Sequence, residues 1–151
     1  MSRIQPTRRL RMPRATRSTV LTEHQEAVAL MDLVRAHESR YPALKRLFHV
    51  PNGGLRNKVT SAKLKAEGVR PGVPDYIFPV RVGWMEYGDK YHGLAIELKR
   101  KESSKMSDEQ ADWINWFDDN GWRAVVCKGH AHAWAVICEY LSIPNCLERG
   151  V

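Results

Sequence analysis

The stretch HGLAIELK, residues 92–99, constrains the fold more than any other part of the chain. Its letters LAI form an unbroken apolar run, which is typical of a strand buried inside a protein. Glu97 and Lys99 follow two residues apart, so on a strand their side chains share one face, about 6–7 Å apart along the chain. A core strand therefore ends with an acid and a base side by side.

Helical and strand patterns alternate along the rest of the chain. Two capping boxes, Thr22 with Gln25 and Ser107 with Gln110, predict helix starts. The patterns predict helices over about 23–38, 60–68, 107–121 and 130–142, and strands over 46–50, 74–80, 92–99 and 123–128. Thr60 or Ser61 is the expected cap of the second helix, and residues 83–91 are expected to form an irregular hairpin loop. The order α-β-α-β-β-α-β-α predicts an α/β fold with a mixed sheet flanked by helices.

Length and composition exclude several classes of protein. The 151 residues suit one domain, and no run approaches the roughly 18 apolar residues of a membrane span, so we expect a soluble protein. The N-terminus lacks the apolar segment of a secretory signal, although a mitochondrial presequence stays open. Three cysteines without Cys-x-x-Cys spacing predict neither a disulfide framework nor a zinc ribbon. A reducing cytoplasm, of a bacterium or a virus host, fits best.

Positive charge is concentrated at the N-terminus. Six arginines precede Glu23, the first acidic residue: Arg3, Arg8, Arg9, Arg11, Arg14 and Arg17. Without these six, the 24 basic residues fall to 18, against 17 acidic residues. Residues 1–20 are therefore predicted to be a disordered basic arm that grips a phosphate backbone, and a solvated tail without a partner is the alternative.

Two further acids accompany Glu97. Asp75 opens the strand predicted over 74–80, and if the two strands pair, its side chain lies within about 4.5–8 Å of Glu97. Two carboxylates about 4 Å apart repel by about 4 kcal/mol at an effective dielectric near 20, which calls for a hard cation, Mg²⁺ or Mn²⁺. Lys99 would then lie beside a metal-bound water, where it could hold a hydroxide in place and offset the charge that develops on phosphorus. Glu26 is placed on the apolar stripe of the first helix, although a helix-end acid that reaches water gives the same pattern.

These residues resemble the PD-(D/E)xK nucleases, and within them the VRR-NUC domains. The matching blocks, in order, are HVPNGG (49–54), AEGVRPGVPD (66–75), LAIELKRK (94–101) and SDEQADWINWFDDNGWRAVVCKG (107–129), followed by the closing helix. The resemblance covers roughly residues 22–142. It implies a restriction-endonuclease-like domain over residues 21–151.

The resemblance also implies roles for particular residues. The expected metal ligands are Glu26, Asp75, Glu97 and the backbone carbonyl of Leu98, with Lys99 acting on the water and Gln110 supporting the site. Arg70 is a candidate phosphate contact. Further expected DNA contacts are Asn52, Arg56 and Lys58 near a Gly-rich turn, Lys101 after the central strand, and Arg8, Arg9 and Arg11 in the arm. A turn stabilised by its own Asn, and solvated surface charges, are the alternatives for several of these.

By the same resemblance, we expect a Mg²⁺- or Mn²⁺-dependent DNA endonuclease that leaves 5′-phosphate and 3′-hydroxyl ends. Its expected substrate is branched DNA, a four-way (Holliday) junction first, and a homodimer is the expected assembly. A sequence-specific or general duplex endonuclease is the alternative within the enzyme class. A DNA-binding module without activity is the alternative outside it.

Overall fold

The computed structural model describes residues 20–51, 58–84, 88–100 and 105–147. Within these residues the chain forms four α-helices, one 3₁₀ helix and six strands. In chain order they are α1 Glu23–His37, the 3₁₀ helix Pro42–Arg46, β1 Phe48–His49, α2 Lys58–Ala66, β2 Tyr76–Phe78, β3 Val82–Trp84, β4 Gly88–Tyr91, β5 Leu94–Lys99, α3 Asp108–Asp119, β6 Arg123–Lys128 and α4 Gly129–Leu141. None of the described helices has the length and apolar character needed to cross a membrane.

Four of the strands form one mixed sheet in the order β1-β2-β5-β6. Strand β2 is antiparallel to both of its neighbours, whereas β5 and β6 are parallel. A parallel pair requires a crossover connection, which α3 supplies here. The mixed sheet flanked by helices confirms the fold class predicted from the sequence.

The two faces of this sheet are covered by different helices. The Tyr76 hydroxyl donates a hydrogen bond to the Ala27 carbonyl on α1 (3.3 Å). Tyr76 pairs with Ile96, so Glu97, the next residue of β5, points to the opposite face. There Glu97 contacts Gln110 on α3. Helix α4 packs against α1, so α1 and α4 cover one face and α3 lies on the other.

Strand β5 forms the centre of the core, as its apolar run predicts. Leu94, Ala95 and Ile96 are fully buried, and Trp134 of α4 is buried with them. Helix α3 contributes no buried residue, and Trp116 is 54% exposed. A helix on the outer face of a four-stranded sheet leaves much of its own surface in water.

Several element boundaries differ from the prediction for identifiable reasons. The predicted strand over 46–50 shortens to two residues, because a 3₁₀ helix that starts with Pro42 occupies the segment before it. Helix α2 begins at Lys58, so neither Thr60 nor Ser61 is its cap. The expected loop over 83–91 contains strand β4, which pairs with β3 in a separate two-stranded sheet. Both predicted capping boxes are present.

Candidate active site

Asp75 and Glu97 lie beside each other at one end of the sheet. The β2–β5 register pairs Tyr76 with Ile96, so one further step places Asp75 opposite Glu97. The backbone N–H of Leu98 donates to Asp75 Oδ2 at 2.8 Å, which holds the carboxylate against the end of β5. The structure therefore brings these two carboxylates, called here the acid pair, onto one face of the sheet.

Glu97 is a buried carboxylate with one unsatisfied oxygen. The residue is only 2% exposed, although it lies near the C-terminal end of β5. The Oε1 atom accepts from Lys99 Nζ (2.9 Å) and from the amide of Gln110. The Oε2 atom is buried and has no hydrogen-bond partner among the described residues. A buried acceptor without a partner costs free energy, and a cation bound at this oxygen would offset that cost.

Gln110 fixes the position of the catalytic candidates. Its Oε1 accepts from the Ser107 backbone N–H (3.0 Å), which completes the capping box at the start of α3. The same atom accepts from Lys99 Nζ at 2.8 Å, while the amide nitrogen donates to Glu97. One side chain therefore begins α3 and orients both the lysine and the buried acid.

Burial and mutual repulsion act on the acid pair. Burial raises the pKa of Asp75, and the nearby charge of Glu23 raises it further, against the Leu98 hydrogen bond, which lowers it. Burial likewise raises the pKa of Glu97, with the charges of Asp75 and Glu23 adding to it and Lys99 opposing it. Both carboxylates are therefore costly to keep ionised without a counter-charge.

These residues fit a hard divalent cation. The acid pair offers carboxylate oxygens, the ligand type that Mg²⁺ and Mn²⁺ prefer, and the unpartnered Glu97 Oε2 is one of them. Among the described residues, no three His, Cys, Asp or Glu side chains are grouped closely enough to hold a metal by themselves. Two carboxylates completed by water, phosphate and backbone oxygen remain an ordinary Mg²⁺ site. The Leu98 carbonyl stays a predicted ligand.

The structure does not group Glu26 with the acid pair. Its carboxylate is buried, and Oε2 accepts from the His130 backbone N–H (2.7 Å) and lies 2.5 Å from His130 Nδ1 at the start of α4. Gly129 leaves room for it, because a Cβ there would lie 3.3 Å from Oε2. The inward orientation predicted for Glu26 is present, and its carboxylate bonds His130 of α4. Its role as a metal ligand stays a prediction.

Glu23 is the acid of α1 that acts on the pair, and sequence reasoning missed it. It lies one helical turn before Glu26, and its charge raises the pKa of both Asp75 and Glu97. With Asp75, His24 and His49 it also lines a cavity of about 460 Å³. The available signal was the three-residue spacing of Glu23 and Glu26, which places both on one side of the helix.

Helix α3 also holds the loop that leads to Asp75. The Trp113 indole N–H donates to the Pro71 carbonyl at 3.1 Å. Gly72 has a φ of +79° and packs so tightly that a Cβ there would lie 2.6 Å from the backbone carbonyl carbon of Glu109. The helix that positions Lys99 and Glu97 thus positions the approach to Asp75 as well.

The predicted DNA contacts are only partly described by the structure. Arg70 is exposed and lines a groove with Asp108, Glu109 and Asp112, so its surroundings are acidic. Lys58 is the first residue of α2. The remaining candidates lie outside the described residues: Asn52, Arg56, Lys101, Arg8, Arg9 and Arg11. Their contacts with DNA stay predictions.

Comparison with known proteins places this site in a family. A model of the VRR-NUC domain matches residues 20–131, most of the chain. A solved structure described as a VRR_NUC domain protein has a TM-score of 0.67 and 28% sequence identity, and the match covers 84% of this chain and 93% of that one. No curated protein matches the sequence. The family match spans the acid pair, Lys99 and Gln110, and the chain therefore belongs to the VRR-NUC domain family.

Proposed function

We propose that this protein is a metal-dependent nuclease that hydrolyses phosphodiester bonds of DNA, with Mg²⁺ or Mn²⁺ held by the acid pair. The observation that carries the proposal is the buried, unpartnered Glu97 Oε2 beside Asp75. The nuclease-type fold of the family supports DNA as the substrate. A bound divalent cation would supply positive charge to a phosphate oxygen and lower the pKa of a water molecule.

The chain's own residues supply the remaining requirements. Asp75 and Glu97 would hold the cation at the end of β5. Lys99 Nζ uses two of its three N–H groups on Glu97 Oε1 (2.9 Å) and Gln110 Oε1 (2.8 Å). Within the described part of the chain the third has no acceptor, so it can donate to the attacking water or to a phosphate oxygen, where negative charge develops. Gln110 keeps the ammonium group in this orientation.

Cleavage of matched DNA substrates tests the proposal. A four-way junction, a flap and a linear duplex of shared sequence are incubated with the protein in Mg²⁺, Mn²⁺ or Ca²⁺. We expect cleavage in Mg²⁺ and Mn²⁺, with the junction cut fastest by a dimer. Equal rates on linear duplex would instead support the general or sequence-specific duplex endonuclease, and no cleavage of any substrate would contradict the nuclease assignment.

Two variants separate catalysis from binding. Lys99→Ala and Asp75→Ala are expected to lower kcat by at least about 10²-fold, since each removes a group that acts at the phosphate. Binding to the junction, measured by fluorescence anisotropy, should persist in both. Asp118→Ala, an exposed carboxylate at the far end of α3, is the matched control and should cleave at the wild-type rate. Full activity in both site variants would refute the role of these residues in catalysis, whereas binding without cleavage by the wild type would favour a module that only binds DNA.

A further inference from the structure

The outer side of α3 carries negative charge that no described residue neutralises by an ion pair. Five of the twelve residues of this helix are acidic, and its sequence contains no lysine, arginine or histidine. Asp108, Glu109 and Asp112 are exposed, and none of them forms an ion pair with another described residue. Since the whole chain has a net charge of +7, the charge of α3 is opposite in sign to that of the protein.

Two tryptophans lie beside these carboxylates. Helical spacing places Asp108, Asp112 and Trp116 in one row along α3, because residues four apart lie one above the other. Trp116 is 54% exposed, and its ring meets that of Trp113 edge to face with centroids 6.1 Å apart. The indole N–H of Trp113 donates to the Pro71 carbonyl at 3.1 Å, which fixes this pair of rings. This surface, called here the α3 face, consists of Asp108, Glu109, Asp112, Trp113 and Trp116.

A groove of about 460 Å³ runs along the α3 face. Its helix wall is the α3 face as far as Trp113, and its other wall is Arg70 and Pro71. Three carboxylates outnumber the one guanidinium group, so the groove repels a phosphate backbone and attracts cations. Arginine is the residue whose side chain both pairs with carboxylates and stacks on a tryptophan ring, so the α3 face suits an arginine-rich segment.

The chain itself supplies such a segment. Residues 1–19, which precede the described part, carry six arginines and no acidic residue. Glu23 of α1 acts on the pKa of Glu97, and Gln110 of α3 bonds Glu97, so both helices begin at the acid-pair end of the sheet. Nineteen residues span up to about 60 Å when extended. This exceeds the roughly 20 Å between two layers that each pack about 10 Å from a sheet, so the segment reaches the α3 face.

We infer that residues 1–19 dock on the α3 face of their own chain, where guanidinium groups pair with the three carboxylates and stack on Trp116. The route from the start of α1 to the start of α3 passes the acid pair, so the docked segment lies over this end of the sheet. The same arginines leave the α3 face when they bind phosphates, a consequence that rests on the proposed function. The α3 face is then an internal competitor of DNA for the arginines.

Proteolysis of the full-length protein by an arginine-specific protease tests the docking without DNA, with mass spectrometry following the loss of residues 1–19. Each exposed ion pair or cation–π contact contributes a factor of about 1.5–5. We therefore expect Asp112→Lys, which turns attraction into repulsion, to lose the segment about fivefold faster than the wild type, and Trp116→Ala about twofold faster. Asp118→Lys makes the same charge change on the opposite side of α3 and should match the wild type. In about 1 M salt, which screens these charges, the rates should converge.

The possible outcomes separate this inference from its rivals. Equal rates in the wild type and Asp112→Lys, or equal acceleration in both lysine variants, would overturn the inference. Slower loss of the segment at higher protein concentration would place it on a second copy of the chain, which also overturns docking within one chain.

DNA binding tests the competition separately. The Kd for a DNA duplex should be about fivefold lower for Asp112→Lys than for Asp118→Lys, because both add the same charge and only the first releases the arginines. DNA cleavage together with equal proteolysis rates would refute the inference alone. Faster loss of the segment in Asp112→Lys, in a protein that neither binds nor cuts DNA, would refute the proposed function alone.

Discussion

Replacing Asp75 by Asn tests the electrostatic description of the acid pair, and it requires no DNA. The variant keeps the shape of the side chain, and its amide oxygen can still accept the Leu98 N–H that now bonds Oδ2 at 2.8 Å. It removes the part-buried carboxylate that lies opposite the buried Glu97 carboxylate across β2 and β5. Without divalent cations, the variant should therefore be more stable than the wild type.

The size of this effect follows from two opposing terms. Two charges about 5 Å apart repel by about 3 kcal/mol at an effective dielectric near 20. Replacing a charge-assisted hydrogen bond by a neutral one loses about 1 kcal/mol. The difference, about 1–2 kcal/mol, corresponds to a rise in Tm of roughly 2–8 °C for a chain of this length.

The pH dependence of the free energy of unfolding tests the direction of this effect. A raised pKa means that the folded protein binds the proton more tightly than the unfolded chain. The free energy of unfolding therefore falls as pH rises from the ordinary carboxyl range through the raised pKa values. In Asp75→Asn the contribution of this residue is absent, so its advantage over the wild type should appear at neutral pH and shrink in acid.

Divalent cations should reverse the order of stability. A ligand at 100 times its Kd stabilises the folded state by about 2.7 kcal/mol, and only the wild type retains both carboxylates to bind it. Thermal melts at neutral pH, with EDTA and with saturating Mn²⁺ or Mg²⁺, measure both effects, with Asp118→Asn as the control that keeps the cation response. A variant less stable than the wild type in EDTA would refute the repulsion argument, and an undiminished cation response would refute the metal site.

Three further perturbations address other parts of the chain. Gly72→Ala should lower the free energy of unfolding more than Gly68→Ala in urea titrations, since both require a positive φ but only Gly72 presses its Cβ direction against α3. Equal losses would show that the close contact is unimportant. Glu26→Ala should lower the free energy of unfolding by about 1–3 kcal/mol, again measured in urea, because it leaves the part-buried His130 N–H without its acceptor. An unchanged midpoint would contradict this. Deletion of residues 1–17 should reduce the slope of log K for DNA against log salt by up to about five, and an unchanged slope would exclude the arm as a phosphate contact.

The central strand and the acid pair could be predicted because they depend on local pattern and strand pairing. An apolar run of strand length fixes β5, and Asp75 and Glu97 follow from the pairing of two neighbouring strands. Two features of the sequence pointed to Gln110. The capping box placed it at the start of α3, and the family resemblance placed it beside the site residues. In each of these cases, the position of the residue depends on a few neighbours in sequence or on the pairing of two strands.

The acids of α1 could not be assigned in this way. Glu23 and Glu26 lie on the same side of one helix, and the choice between them depends on where the β6–α4 turn falls in space. That turn is a hundred residues away in the chain and presents the His130 N–H to Glu26. Helical spacing also does not reveal which helix lies on the outside of the sheet, so the 54% exposure of Trp116 on α3 cannot be derived from it.

The two sets of hydrogen bonds made by Gln110 have a consequence for how the proposed nuclease activity would be lost on heating. The side-chain amide of Gln110 accepts hydrogen bonds both from the Ser107 N–H at the start of α3 and from Lys99 Nζ. Fraying of the first turn of α3 therefore releases the ammonium group of Lys99 while the β-sheet is still intact. Helix ends open far more readily than whole domains unfold. Turnover should accordingly decline at temperatures where the bulk of the molecule is still native, and hydrogen exchange at Gln110 should track that decline.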